Sequence, residues 1–183
     1  MDGFTLIELL IGFAIIGILT VIAIPAFQGW IRNTEIRNAA ESIANGIQFA
    51  RVEAISRNVP IRMVIGPGTG WTISDPATGA QIRQQSALEG SGGATVVLND
   101  MDGDGVSDDA GVDRITFSGM GWRVANGNGS PLVNQMDFSN PIGGSCRHVN
   151  GGPMRCMRVV ISASGASRMC DPAVAVGDPR ACL

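Results

Sequence analysis

The sequence predicts an α+β fold: one long N-terminal α-helix laid against an antiparallel β-sheet domain. Three observations predict it. Residues 9–31 carry no charged side chain. Ile36, Ala40, Ile43, Ile47, Ala50 and Ala54 then recur at steps of four, three, four, three and four, which draws one apolar stripe along a helix. After Pro60 the period shortens to runs of a few apolar residues split by Gly, Pro, Asp and Asn, the pattern of short strands and turns.

The helix is expected over residues 4–57, about 80 Å at 1.5 Å per residue. Its first half is apolar all round. The 23 uncharged residues 9–31 are enough to cross a hydrocarbon core roughly 30 Å thick. Its second half is amphipathic, with Arg37, Glu41, Gln48 and Arg51 off the stripe and Glu53 and Arg57 in the favourable i,i+4 order. One half therefore needs lipid or other helices, and the other needs a domain to lie on. Pro25 removes one backbone bond, and Gly12 and Gly17 soften the same region, so a kink or melted turn is expected near Pro25. Asn58-Val59-Pro60 ends the run, because Asn tolerates a left-handed cap and Pro60 cannot continue a helix.

Strands are expected at residues 61–65, 71–74, 80–85, 95–98, 114–117 and 122–124. Residues 157–162 and 167–170 flank Ala163-Ser164-Gly165-Ala166 as a hairpin. Many short strands after one helix place an antiparallel sheet on the stripe. Residues 125–156, rich in Gly, Asn and Pro, read as a long irregular segment.

At 183 residues the chain suits one anchor and one domain. The net charge of −3 is uneven. Residues 146–183 hold five Arg against two Asp, while six Asp fall between 100 and 113. There is no Lys, so every cationic side chain is a guanidinium. Cys146, Cys156, Cys170 and Cys182 all lie in the last 38 residues. An even number behind an export-like head reads as two disulfides in an oxidising compartment. Three connectivities are open; 146–156 with 170–182 is preferred because it closes two short loops. A zinc site built from four thiolates is the rival, but no C-x-x-C pair exists.

A single carboxylate, Glu8, heads the uncharged run. Near a bilayer centre an ionised acid costs roughly 2.5–3.5 kcal/mol, so such a residue is read as functional. Gly3-Phe4-Thr5-Leu6-Ile7-Glu8-Leu9-Leu10 resembles the class III signal and N-terminus of type IV pilins and type II secretion pseudopilins. The resemblance implies cleavage by a prepilin peptidase between Gly3 and Phe4, N-methylation of Phe4, and a role for Glu8 in filament assembly. The chemistry agrees: cleavage frees an α-ammonium at Phe4, the natural partner in lipid for the Glu8 carboxylate of a neighbouring subunit. Family leaders carry Lys or Arg before the Gly, whereas Met1 and Asp2 stand there here.

Beyond the head, Phe49-Ala50-Arg51-Val52-Glu53-Ala54, the Trp71 strand, Ile115-Thr116-Phe117 with Gly119 and Gly121, and Arg158-Val159-Val160-Ile161-Ser162 with Gly165, Arg168 and Cys170 resemble the GspH/FimT/FimU group of minor pilins and minor pseudopilins. The resemblance implies a pilin-like fold and loosening of the helix near Pro25 in assembled filaments.

Two further stretches invite chemistry. Asp100, Asp102, Asp104 and Asp108 stand at calcium-loop positions with Gly105 at the turn, so they are candidate Ca²⁺ ligands. Position 12 is Gly111 in place of a bidentate Glu, and a polar hairpin loop explains the same residues. Arg147, Arg155, Arg158 and Arg168 are candidates for a DNA-phosphate patch. DNA-uptake pilins carry Gly-Arg-x-Arg in the last hairpin; here Gly165-Ala166-Ser167-Arg168 lacks the first Arg, and structural pairing of the arginines is favoured. No catalytic motif is present, and the single His148 lies in a Gly/Asn-rich stretch. Trp71 and Trp122 read as core or sheet-face residues.

The sequence therefore divides into a leader remnant (1–3), a transmembrane and assembly half-helix (4–31), an amphipathic half-helix (32–58) and a periplasmic β-rich domain (59–183). The expected function is a non-enzymatic minor pilin near the tip of a type IV pilus, with a type II secretion minor pseudopilin and a DNA-uptake pilin as alternatives. Expected partners are other minor and major pilins or pseudopilins, prepilin peptidase and the bacterial inner membrane.

Overall fold

The computed structural model describes residues 5–99, 113–149 and 151–182. A long α-helix, α1 (Leu6–Arg57), runs from near the head of the chain into the domain. Thr5 caps its start, and its hydroxyl accepts from the Glu8 backbone N–H. Asn58 closes it in the left-handed conformation at φ 53°, as the Asn-Val-Pro stop requires. The helix assignment continues through position 25, where a kink or melted turn is expected. A missing proline N–H removes one bond from a ladder that continues on either side.

Among the described residues nine strands follow: β1 (Ile61–Ile65), β2 (Trp71–Ser74), β3 (Gln81–Gln85), β4 (Thr95–Asn99), β5 (Arg114–Phe117), β6 (Arg123–Val124), β7 (Gln135–Ser139), β8 (Met157–Ile161) and β9 (Ser167–Cys170). They form two antiparallel sheets and not one. The first has the order β3-β2-β1-β5-β6 and the second β4-β7-β8-β9. β7 corrects the reading of 125–156 as irregular. Its alternation is clean, with Met136 and Phe138 buried between half-exposed Gln135, Asp137 and Ser139. It occupies the interior of the second sheet, between β4 and β8.

Both sheets pack on the C-terminal half of α1. All six stripe residues from Ile36 to Ala54 are fully buried, joined by Ala39. Facing them are Ile61 and Met63 of β1, Ile73 of β2, Ile115 and Phe117 of β5, Met136 and Phe138 of β7, and Val159 and Ile161 of β8. Off-stripe residues stitch the edges. Gln48 Nε2 donates to Ser167 Oγ at 2.9 Å, and Arg51 Nε donates to the Gly121 carbonyl at 3.0 Å. The two sheets meet at this distal end. Gly165, at φ +82°, lies so close to the Gly121 carbonyl and the Phe117 ring that no side chain fits.

Two disulfides, Cys146–Cys156 and Cys170–Cys182, close short loops, and every cysteine is paired. The second ties residues 171–182 back beside β9. The Asp171 N–H donates to the Arg180 carbonyl, and Ala181 is buried.

Candidate assembly site

The helix divides sharply by exposure. From Leu6 to Trp30 the large apolar residues stand open, with Leu6 at 79%, Phe13 at 65% and Ile22 at 70% exposed. By length and composition this stretch can cross a membrane, and none of it is covered by the domain. Exposed apolar surface on this scale needs lipid or other helices.

Glu8 is the only charged residue of this half within the described chain, and it sits in the first helical turn. A carboxylate is favoured there by the partial positive charge of the helix N-terminus. Thr5 is the N-cap and Glu8 stands at N3, and the Glu8 N–H reaches the Thr5 hydroxyl at 3.4 Å. The N-cap was not among the expected features, although Thr ahead of an apolar run is its signature. Beside Glu8 lies a shallow apolar notch of about 340 Å³ lined by Leu9, Gly12, Phe13 and Ile16. Gly12, one of its lining residues, has open space where a Cβ would stand. Among the described residues the site thus offers one acid, one shallow groove and no cation to pair with the acid. Gly3 and Phe4, the expected cleavage and methylation positions, lie outside the described residues.

The expected basic patch is largely occupied. Arg155 Nε pairs with the buried Asp171 carboxylate at 2.8 Å. Arg158 holds Asp137 with two bonds, at 2.6 and 3.3 Å, and Asn99 and Gln135 donate to the same carboxylate. Arg168 donates to the Pro179 and Ala181 carbonyls. The β8–β9 register sets Arg158 opposite Cys170 and Arg168 opposite Val160, on the face turned from α1. Arg147 and His148 are exposed in the loop before Val149. Arg180, not counted in the patch, pairs with Asp178 and holds its carboxyl at a pKa of about 2. Among the described residues no acidic, His or Cys cluster is arranged to hold a metal. Asp100, Asp102, Asp104 and Asp108 lie outside the described residues. Trp71 is buried, whereas Trp122 is exposed on the β5–β6 side.

Comparison with known proteins accords with this arrangement. The profile of the type II transport protein GspH matches residues 39–165, and that of the prokaryotic N-terminal methylation motif matches residues 2–24. A fimbrial protein of Pseudomonas aeruginosa is 33% identical over 98 residues, covering 54% of this chain and 59% of its own length. A fimbrial protein of Moraxella nonliquefaciens is 50% identical over 46 residues, covering 25% of this chain and 29% of its own. The type II secretion system protein H of Xanthomonas campestris pv. campestris is 33% identical over 67 residues, covering 37% and 40%. The chain thus spans 29–59% of the length of these relatives. The crystal structure of the P. aeruginosa type IV minor pilin FimU superimposes with a TM-score of 0.50 at 20% identity, over 74% of this chain and 87% of that one, which shows a shared fold. With the GspH profile covering most of the folded domain and the methylation motif covering the exposed half-helix, this chain belongs to the GspH family of type IV pilin-like minor pilins and pseudopilins.

Proposed function

We propose that this chain is a minor subunit of a type IV pilus that is held first in the bacterial inner membrane and then joins the filament near its tip. The observation that carries the reading is the helix half from Leu6 to Trp30: apolar on every side, uncovered by its own domain, and bearing one acid in its first turn. In the membrane that half is solvated by lipid. In a filament it buries against the same half of other subunits, and the Glu8 carboxylate accepts the terminal ammonium that processing creates on a neighbour. Pairing of opposite charges in a medium of low dielectric fixes the axial step between subunits. The action is structural, and no bond is made or broken after processing. The domain stays outside the bilayer, in the oxidising compartment that its two disulfides require.

Glu8→Gln keeps the side-chain length and the Thr5 cap but removes the charge. The variant is expected to insert in the membrane as wild type does and to be missing from sheared filaments. Normal incorporation refutes the role of Glu8.

A second reading, a minor pseudopilin of a type II secretion system, is favoured by the description of the matching family. It uses the same helix. Co-purification with secretion pseudopilins, in place of pilus subunits, selects it.

A further inference from the structure

Three loops ring α1 at one level, directly above the uncovered half. Asn38 Nδ2 donates to the Gly90 carbonyl at 3.1 Å, Asn140 Nδ2 donates to the Glu35 carboxylate at 2.8 Å, and the Arg155 N–H donates to Asn33 Oδ1 at 2.7 Å. These bonds seat the turn before Gly90, the 3-10 turn Pro141–Gly143 and the segment before β8 around helix residues 33–38. Two of the loops carry large apolar side chains in the open: Leu88 is 83% and Ile142 is 73% exposed. Neither is needed by the core. Leu88 lines one shallow cleft with Trp30, Ile31 and Thr34; Ile142 lines another with Gln28, Ile31 and Arg32. Trp30 is itself exposed and stacks on Phe27 at 5.7 Å between ring centroids.

The level of this ring follows from the length of the helix. Residues 9–31 rise about 33 Å, which uses the whole hydrocarbon core. Trp30, Ile31 and Arg32 then stand at the headgroup layer, where Trp and Arg are favoured by their mixed character. Leu88 and Ile142 share clefts with those residues, so they stand there too. A third groove, of about 480 Å³, adds Arg37 and Arg155 beside Trp30 and Met157. Glu41 and Asp171 hold those two arginines, and Glu35 is held by Asn140, so the surface is close to neutral overall.

We propose that the underside of the domain is a phospholipid-interface surface, in which Leu88 and Ile142 enter the headgroup and upper-chain region while Arg32, beside Ile142, faces lipid phosphodiesters. The occupant is the bilayer itself, because the surface continues from the spanning helix without a gap. The inference rests on the membrane-anchored reading above. Its consequence is a subunit seated on the bilayer with a fixed tilt before it is extracted, with apolar contact and not net charge holding it down.

Photo-crosslinking of the full-length, disulfide-intact chain in phosphatidylethanolamine/phosphatidylglycerol nanodiscs tests it. Benzoylphenylalanine is placed in turn at Leu88, Ile142, Phe13 and Met120. Phe13 lies in the span, and Met120 is 80% exposed at the far end of the domain. Lipid adducts at positions 88 and 142 are expected about tenfold above those at 120, the bias that burial of one Leu-sized side chain gives. Adducts at 13 with only the level of 120 at 88 and 142 overturn the interface proposal and leave the anchor standing. No adducts at 13 overturn the anchored reading, and the proposal with it. Protein–protein adducts at 88 and 142 in place of lipid make this face a contact between subunits and also overturn it.

Discussion

The indole Nε1 of Trp71 donates a 3.0 Å hydrogen bond to Oγ of Ser42, and one helical turn later Gly46 leaves room for the same ring. This pair fixes how closely the first sheet lies on α1. Arg83 covers the outer side, its guanidinium 5.0 Å from the Phe49 ring and 6.0 Å from that of Trp71. A buried indole needs a partner for its N–H, and Ser42 is that partner.

Gly46→Ala is therefore expected to destabilise the domain. The new Cβ falls 2.8 Å from Met63 Cε and 3.0 Å from the Trp71 ring. Overpacking costs about 1–3 kcal/mol, and the helix propensity gained offsets up to about 1 kcal/mol. A net loss of about 1 kcal/mol should appear in urea unfolding, whereas Gly17→Ala, which meets nothing within 4 Å, should cause no loss.

Asp137 collects donors from Arg158, Asn99 and Gln135 on three neighbouring strands. Asp137→Ala leaves all three without their acceptor, and an expected loss of about 1–3 kcal/mol should be seen as a lower unfolding midpoint. Arg158→Ala should cost less, because Asn99 and Gln135 still hold the carboxylate.

Reduction of Cys170–Cys182 should free residues 171–182 from β9. A loop of this length corresponds to about 3 kcal/mol in the unfolded-chain entropy account. The paired variant Cys170→Ser with Cys182→Ser should melt earlier by that amount and expose the Asp171 and Ala181 amides to rapid hydrogen exchange.

Asp178 supplies an acid-sensitive contact. The Arg180 side chain, followed by its backbone N–H, lowers the carboxyl from its ordinary value to about 2. A depressed acid stabilises the fold above its unfolded pKa, near 4, and the contribution fades as pH falls toward 2. Between those pH values the slope of stability against pH should be shallower in Asp178→Asn. Carboxyl titration followed by NMR gives the check.

Much of the fold was legible in the sequence because α1 advertises itself twice. Its first half is uncharged for longer than any core helix needs, and its second half repeats at helical spacing from Ile36 to Ala54. The strands that flank Gly/Pro turns were legible for the same reason. β7 was not, since five alternating residues between Gly-, Asn- and Pro-rich stretches look like loop until two neighbours pair with them. Nor was the division into two sheets, which depends on pairings between strands far apart in sequence. At the candidate assembly site Glu8 stood out as an acid in an apolar run. The notch lined by Gly12 did not, because a glycine carries no signal by itself.

The burial of α1 from Ile36 to Ala54 has a mechanical side. A pull along the helix axis loads these contacts side by side, in shear, together with the lateral bonds at Asn33, Asn38, Gln48 and Arg51. No single contact is peeled before the next. Tension handed from one shaft to another would reach the head of the subunit without opening it.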